Sequence, residues 1–473
     1  MKKMNFKYLM FAAALVVGLA GCKSDEPNGD DGVVPNKNKA YATIKLSAAN
    51  MSARANQDHT VQTPDENAID DATVFIFDAG KTLESVVSFV NTANATNGTG
   101  EVFETTDGTH YFYVAINKPA AFPASIPVGT TMAAFEKMII NIAAVSDITT
   151  AGKFYMTNVE TPDAEVLADW DGTGSAPASN EIRIDVGRGM AKVNVEYPET
   201  ATQPASGELS DVKYAVIGNP KQMFTMPVIR KAPLDLIGTL ETPFFTDNST
   251  PNTLTSTDYF PVIAPTTTTA DLAGLNVVLG PTANDTETKA QSTAKAKYTI
   301  ENSNRVPSFG NSTYVLLQGT FTPSAWVDVD GNSSAATADG TFYRVYYTSG
   351  TDKIYSDKFF DDALTQAQID AEITAMGLDP LVQVGSIAKY TEGICYYGIW
   401  LADQSIATAK AYDRFTVKRN NYYYVYINDV SGPGSNEPGE VIPDPEKPII
   451  TNININVSIN ILNWTPILQE TGI

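Results

Sequence analysis

Four stretches of this chain hold residue types that could do chemistry. The first is Leu19-Ala20-Gly21-Cys22, at the end of a basic start (Lys2, Lys3, Lys7) and the apolar run YLMFAAALVVG. That order makes a signal peptide, and a cysteine directly behind the small residues makes it the lipoprotein version. The Cys22 thiol would be acylated and become the new N-terminus; an ordinary signal peptide that happens to contain a cysteine is the alternative. The second stretch, DAGKT at Asp78–Thr82, ends like a phosphate loop, but Phe75 stands where the first glycine must be. Without a glycine-rich cradle it reads as a hairpin loop. The third, DVDGN at Asp328–Asn332, offers calcium-type oxygens without the spacing or the closing glutamate of an EF-hand, and Asp or Asn beside Gly commonly forms turns. The fourth is His110 in THYFYVAIN; like His59 in a polar stretch, it has no nucleophile beside it in a recognisable motif. The acidic residues are scattered, which leaves a paired-carboxylate glycosidase unsupported. With Cys22 carrying lipid, Cys395 in GICYYGIWL is the sole remaining thiol and is expected as a small core residue. No catalytic constellation, cofactor or metal site emerges, and an enzyme is not expected.

The elements around these stretches are mostly strands. At 473 residues the chain exceeds what one hydrophobic core usually serves, so two domains are expected. Aromatic residues make up 10% of it, with 22 Tyr, 20 Phe and 27 Pro punctuating short runs, the balance of a β-rich protein. The net charge of −22, with no compensating basic run, argues against nucleic acid as a partner. Strand-like runs include AYATIKLSAA, DATVFIFD, LESVVSFV, EVFET, THYFYVAIN, GICYYGIWLA and the aromatic RFTVKRNNYYYVYINDV. EIRIDVGRGMAKVNVEY reads as paired strands around a turn. Helical spacing appears in TMAAFEKMIINIAA, with Phe135, Met138, Ile139 and Ile142 on one stripe, and in DDALTQAQIDAEITAMG, with Asp361 or Asp362 as cap and Gly377 as stop. PETATQPASGELSD is the best boundary between domains.

The C-terminal run TNININVSINIL has Ile453, Ile455, Val457, Ile459 and Ile461 at every second position, behind the spacer SGPGSNEPGEVIPDPEKP. Strict alternation marks a strand with one buried face. On a Pro/Gly-rich tether it can complete its own sheet or reach another molecule's. Its twelve residues extend roughly 40 Å at about 3.3 Å each. Its five apolar side chains bring on the order of 10 kcal/mol of gross burial at about 1.5–3 kcal/mol apiece. A contact of that kind between copies is head-to-tail and does not close, so it builds a filament.

Several segments carry a family resemblance. The order is LAGC, an alternating strand, an Arg–Ala pair in a polar stretch, GNSTYVLLQGTFTPSAW, YYGIW, KRNNYYYVYINDV, the Pro-rich spacer and a last strand closing on NWTPI. FYVAIN and RGMAKVNV add to it. Together they resemble the major fimbrillins of Bacteroidales, nearest to the subunit of the short (minor) fimbria. The acidic KSDEPNGDDG behind Cys22 likewise resembles the surface-export signal of Bacteroidetes lipoproteins. The resemblance implies an all-β fold of two tandem transthyretin-like β-sandwich domains with a few short helices and a C-terminal donor strand. It implies a signal peptide over 1–21, a propeptide with a temporary first strand over 22–54, domains over 55–197 and 198–448, and the donor strand over 449–473. It further implies cleavage by a trypsin-like protease after Arg54, which makes Ala55 the new N-terminus. The temporary strand, with Ala42, Ile44, Leu46 and Ala48 on one face, would leave with the lipid. The donor strand of a neighbouring subunit would then fill its place.

The partners so implied are further copies of the chain, accessory fimbrial subunits, the protease and, before cleavage, the outer membrane through the lipid. The precursor would sit at the outer membrane and the mature chain in an extracellular fimbria that supports adhesion. A temporary strand fits the physics, because an empty groove exposes apolar surface and unpaired backbone. Two large apolar residues, Ile44 and Leu46, also bury far less than five β-branched ones. Rival readings are a lipid-anchored surface protein that binds glycans, and an anchor or tip subunit that never polymerises.

Overall fold

The computed structural model of the protein describes residues 38–48, 66, 68–90, 102–160, 163–231, 234–245, 258–282, 295–350, 352–407, 411–442, 444–449, 455–463 and 471–472. Side chains at 47, 48, 90, 460–463, 471 and 472 lie outside the description. The chain is all-β, with short helices at Met132–Glu136 (α1), Gln366–Ala375 (α2) and Ala411–Arg414.

The first sheet is built from β1 (Lys39–Ala48), β2 (Asp71–Phe77), β3 (Leu83–Val90), β4 (Val102–Thr106), β5 (Gly108–Ile116), β6 (Met156–Asn158), β7 (Asp163–Val166) and β8 (Glu181–Arg188). Its order is β3-β2-β5-β6-β8-β1, with β7 added on β5 and β4 on β1. One face packs Ala42, Ile44, Leu46, Val74, Ile76, Phe112, Val114, Ile182 and Ile184 into a core. The opposite face of β2 and β5 sends Phe75, Phe77 and Tyr113 into a second core, with Phe135 of α1 and Tyr155. Burial on both faces explains why VFIF is a continuous apolar run and not an alternating one.

The second half is a sandwich. One sheet holds β9 (Met190–Glu196), β11 (Lys297–Ile300), β14 (Asn421–Val430) and β15 (Ile455–Asn463), in the order β11-β9-β14-β15. The other holds β10 (Gly207–Ile217), β12 (Tyr314–Pro323) and β13 (Ile394–Trp400), with a short strand at Gly280–Pro281 beside β10. Between them lie Val193, Val195, Tyr423, Val425 and Ile427 on one side, and Leu209, Tyr214, Val315, Leu317, Tyr397 and Ile399 on the other. Inward-facing side chains from two sheets sharing one core are what hold such a sandwich together.

Three local expectations come out differently. EIRIDVGRGMAKVNVEY makes strands β8 and β9, but they do not pair: β8 lies against β6 and β1, whereas β9 lies against β11 and β14. Gly189 between them allows close approach and makes no hairpin, since a Cβ there would sit 2.6 Å from the Tyr155 ring. TMAAFEKMIINIAA is helical only over α1, capped by Thr131; Ile139–Asn141 is a strand paired with Gln222–Phe224, which turns Ile139 outward. α2 begins at Thr365, whose backbone N–H and hydroxyl both donate to Gln368 (2.9 and 2.8 Å). Neither Asp361 nor Asp362 caps it, because Phe360 and Asp361 are held in extended pairing with Tyr343 and Val327. Gly377, at φ +82°, follows the last turn as expected.

Candidate functional site: the first strand and the C-terminal strand

β1 is an interior strand. It runs parallel to β8, from Thr43 opposite Glu181 to Ala48 opposite Val186. It also runs antiparallel to β4, from Lys39 opposite Thr106 to Thr43 opposite Val102. The Asn180 side chain donates to the Tyr41 carbonyl at 2.7 Å, and the Thr43 N–H donates to the Asn180 carbonyl at 2.8 Å. Ala40, Ala42, Ile44 and Leu46 are at most 1% exposed, so one whole face of β1 belongs to the first core. The Ala48 side chain lies outside the described residues.

β15 has the same alternation, and it completes the chain's own second sheet. Ile455, Val457 and Ile459 face Val430, Ile427 and Val425 of β14 in antiparallel register, broken by an irregularity at Asn428. All three are buried in the sandwich core, whereas Asn456 between them is exposed. The Gln404 side chain donates to the Val457 carbonyl (3.2 Å), Asn428 donates to the Ser458 hydroxyl (2.9 Å), and Asn456 donates to Asp429 (2.8 Å). Ile461 pairs with Tyr423 through the backbone, its side chain lying outside the description, and Ile453 falls outside it entirely. Thr471–Gly472 pairs with β1 at Leu46 and Lys45. Cys22, Arg54 and Ala55 also lie outside the described residues.

Of the stretches with chemical potential, DAGKT and DVDGN form hydrogen-bonded turns. DAGKT closes the β2–β3 hairpin, with Asp78 accepting from the Thr82 N–H at 3.1 Å. In DVDGN, Asp328 accepts from the N–H groups of Asp330 (3.0 Å) and Asn332 (2.8 Å). Hydrogen bonds from Asn332, Asp330 and Gly331 hold its carboxyl below the usual range. Among the described residues, no group of three or more His, Cys, Asp or Glu could hold a metal.

His110 is buried beside Glu84 (3.2 Å) and the Thr106 hydroxyl (3.1 Å), both at Nε2, while Nδ1 faces the Gly108 carbonyl at 2.9 Å. Thr106 gives its proton to Glu84 at 2.8 Å. Carboxylate and hydroxyl thus share one ring nitrogen, whereas a catalytic triad needs them on opposite ones. The cluster ties β3, β4 and β5 together beside β1. Burial pushes the Cys395 thiol up to about 11, which keeps it protonated and unreactive. Tyr422 and Tyr424 are buried in the second core, on the opposite face of β14 from Tyr423.

The sequence reading passed over one cluster. Glu66 accepts from the Lys192 ammonium (2.8 Å) and the Tyr298 hydroxyl (2.6 Å), and its backbone carbonyl accepts from Arg188 (3.1 Å). Glu66 and Lys192 are at most 1% exposed. The available signal was two cations, Arg188 and Lys192, inside the apolar alternation of RIDVGRGMAKVNV: buried charges require a partner.

Two parts of the chain match fimbrial family models. Residues 40–197 match "Major fimbrial subunit protein (FimA)", and residues 388–470 match "Major fimbrial subunit protein type IV, Fimbrillin, C-terminal". Both models describe major fimbrial subunits, a structural and non-enzymatic kind of protein, and the two matched regions are similar to them. They cover β1 through β9 and the stretch from β13 to β15, so both candidate strands lie within fimbrillin-like sequence. Such families imply an extracellular fimbria and assembly with other fimbrial subunits. No curated protein matches the chain.

Solved structures that align with it include a fimbrilin of Porphyromonas gingivalis, at 14% identity over 89% of this chain and 98% of that one, with a TM-score of 0.43. A proposed cell adhesion protein of Parabacteroides distasonis aligns at 15% identity over 90% and 99%, with a TM-score of 0.47. The C-terminally truncated tip fimbrial protein Mfa3 of Porphyromonas gingivalis aligns at 12% identity over 90% and 100%, with a TM-score of 0.35.

Proposed function

We propose that the chain is a stalk subunit of a surface fimbria, of the short-fimbria kind, that polymerises by exchanging strands. The precursor is acylated at Cys22 and held at the outer membrane. A trypsin-like protease cuts after Arg54, Ala55 becomes the N-terminus, and β1 departs with the lipid. The C-terminal strand of another copy, with Ile453, Ile455, Val457, Ile459 and Ile461 inward, enters the vacated place. The domains run over 55–197 and 198–448, with the donor strand after them.

The observation that carries this reading is the position of β1. Its departure would leave β8 and β4 with unpaired backbone and an apolar trough lined by Ile182 and Ile184. Such a trough demands another strand. β15 has the matching alternation, and in the single chain it is stored on β14. Exchange then trades one buried edge for another, so the monomer stays soluble until a slot is available. The same storage favours a second reading, an anchor or accessory subunit that keeps β1 and never donates, because β1 and β15 both lie buried in the uncut chain.

The intact mass and N-terminal sequence of the protein sheared from its native cells decide between the two. A chain beginning at Ala55 without lipid is the expected result. A chain beginning at acylated Cys22 would overturn the stalk reading and leave the anchor.

A further inference from the structure

We infer that Glu66 is a clamp that keeps the chain behind the cut docked when β1 leaves, so that release stops short of β2. This rests on the reading that the chain is cut after Arg54. Arg54 is the only Lys or Arg between Lys45 in β1 and Lys81 in the β2–β3 hairpin. A trypsin-like cut in this interval therefore falls on the N-terminal side of Glu66.

Glu66 binds three strands at once. Arg188 sits at the end of β8 in the first sheet, Lys192 on β9 and Tyr298 on β11 in the second. It therefore bridges the place where the chain passes from one sheet to the other. Burial pulls the Lys192 ammonium below its ordinary range, and the Glu66 carboxylate is the group that favours its charged form. Arg188 is also pulled down by burial, to about 10, against the same carboxylate.

Between the clamp and β2 the chain is fastened again. The Asn117 side chain donates to the Ala68 carbonyl at 2.7 Å and accepts from the Asp70 N–H at 2.8 Å. β2 supplies Val74 and Ile76 to the core that β1 abandons. β2 stands between β3 and β5, away from the slot between β8 and β4, so a segment that followed β1 outward would strip Val74 and Ile76 from the core facing that slot. Held at Glu66, β2 stays put and the slot keeps its apolar lining.

The test compares wild type with Glu66→Ala and Tyr298→Phe, all as the full precursor in detergent, before and after trypsin. Hydrogen exchange is followed over peptides covering 66–77. In wild type, cutting changes exchange there by less than about twofold. Glu66→Ala makes it at least about tenfold faster after the cut, with Tyr298→Phe between. Exchange in Glu66→Ala equal to wild type overturns the clamp. If Glu66→Ala fails to fold, Tyr298→Phe decides: faster exchange supports the clamp and unchanged exchange overturns it. Should trypsin leave the bond after Arg54 intact, the processing reading fails by itself. The uncut chains then decide the clamp by the same comparison, unchanged exchange again overturning it.

Discussion

Replacing Ile44 with alanine should matter before processing and not after it. Ile44 is fully buried on β1, opposite Ile182 of β8, in the core shared with Val74 and Phe112. The change removes three carbons from that core, about 0.8 kcal/mol each in transfer terms, and leaves a cavity that β8 and β2 cannot collapse into. Large-to-small changes at such sites cost about 2–5 kcal/mol. At roughly 2–4 °C per kcal/mol for a domain of this size, the precursor should lose about 4–20 °C from its thermal midpoint.

Fibres assembled from the same variant should melt like wild type, because the substituted strand has been discarded. Val74→Ala, in the same core but on β2, is the control: it should weaken precursor and fibre alike. Thermal scanning of purified precursor and heat dissociation of sheared fibres give both numbers. A shift that persists in fibres carrying Ile44→Ala would refute the reasoning, since β1 would then still be present. An unshifted precursor would refute the packing argument itself.

Ile459→Ala should act on both states. It removes burial from the sandwich core of the single chain, at about 2–5 kcal/mol, and it should also weaken or slow fibre formation through the donated strand. A destabilised precursor that polymerises at the normal rate would sink the donor role of β15. Cys395 gives a pH prediction. Its thiol is raised from an ordinary 9.0 to about 11 in the folded chain, so above pH 9 the unfolded chain loses a proton that the folded chain retains. Its stabilising contribution is therefore complete below pH 9 and is lost as pH rises towards 11. Denaturation midpoints of wild type and Cys395→Ala followed over pH 8–11 check this; parallel curves would remove Cys395 from the account.

Much of the fold is legible in the alternation of apolar residues. The strands β1, β2, β5, β14 and β15 all lie where period-two or continuous apolar runs place them, and the buried face of β1 carries Ala42, Ile44 and Leu46 as read. The hairpin at Asp78–Thr82 and the turn at Asp328 follow equally from local chemistry, because their hydrogen bonds join residues at most four apart. α2 was found but mis-started, since Asp361 was already hydrogen-bonded to Val327 and its neighbour Phe360 paired with Tyr343. VGRGM between two alternating runs suggested a turn joining paired strands, whereas the ring of Tyr155 was the reason for Gly189.

By itself, the sequence determined which side of each strand is apolar and that the C-terminal strand must be buried against some sheet. Which sheet was decided by tertiary structure alone. A period of two is a property of one strand and contains no name for its partner. The partner depends on which edge is open: β14 presents Val425, Ile427 and Val430 at an edge within reach of β15, while the place beside β8 is already filled by β1. The clamp at Glu66 was decided the same way, since it joins residues more than a hundred positions apart that only folding brings within hydrogen-bonding distance.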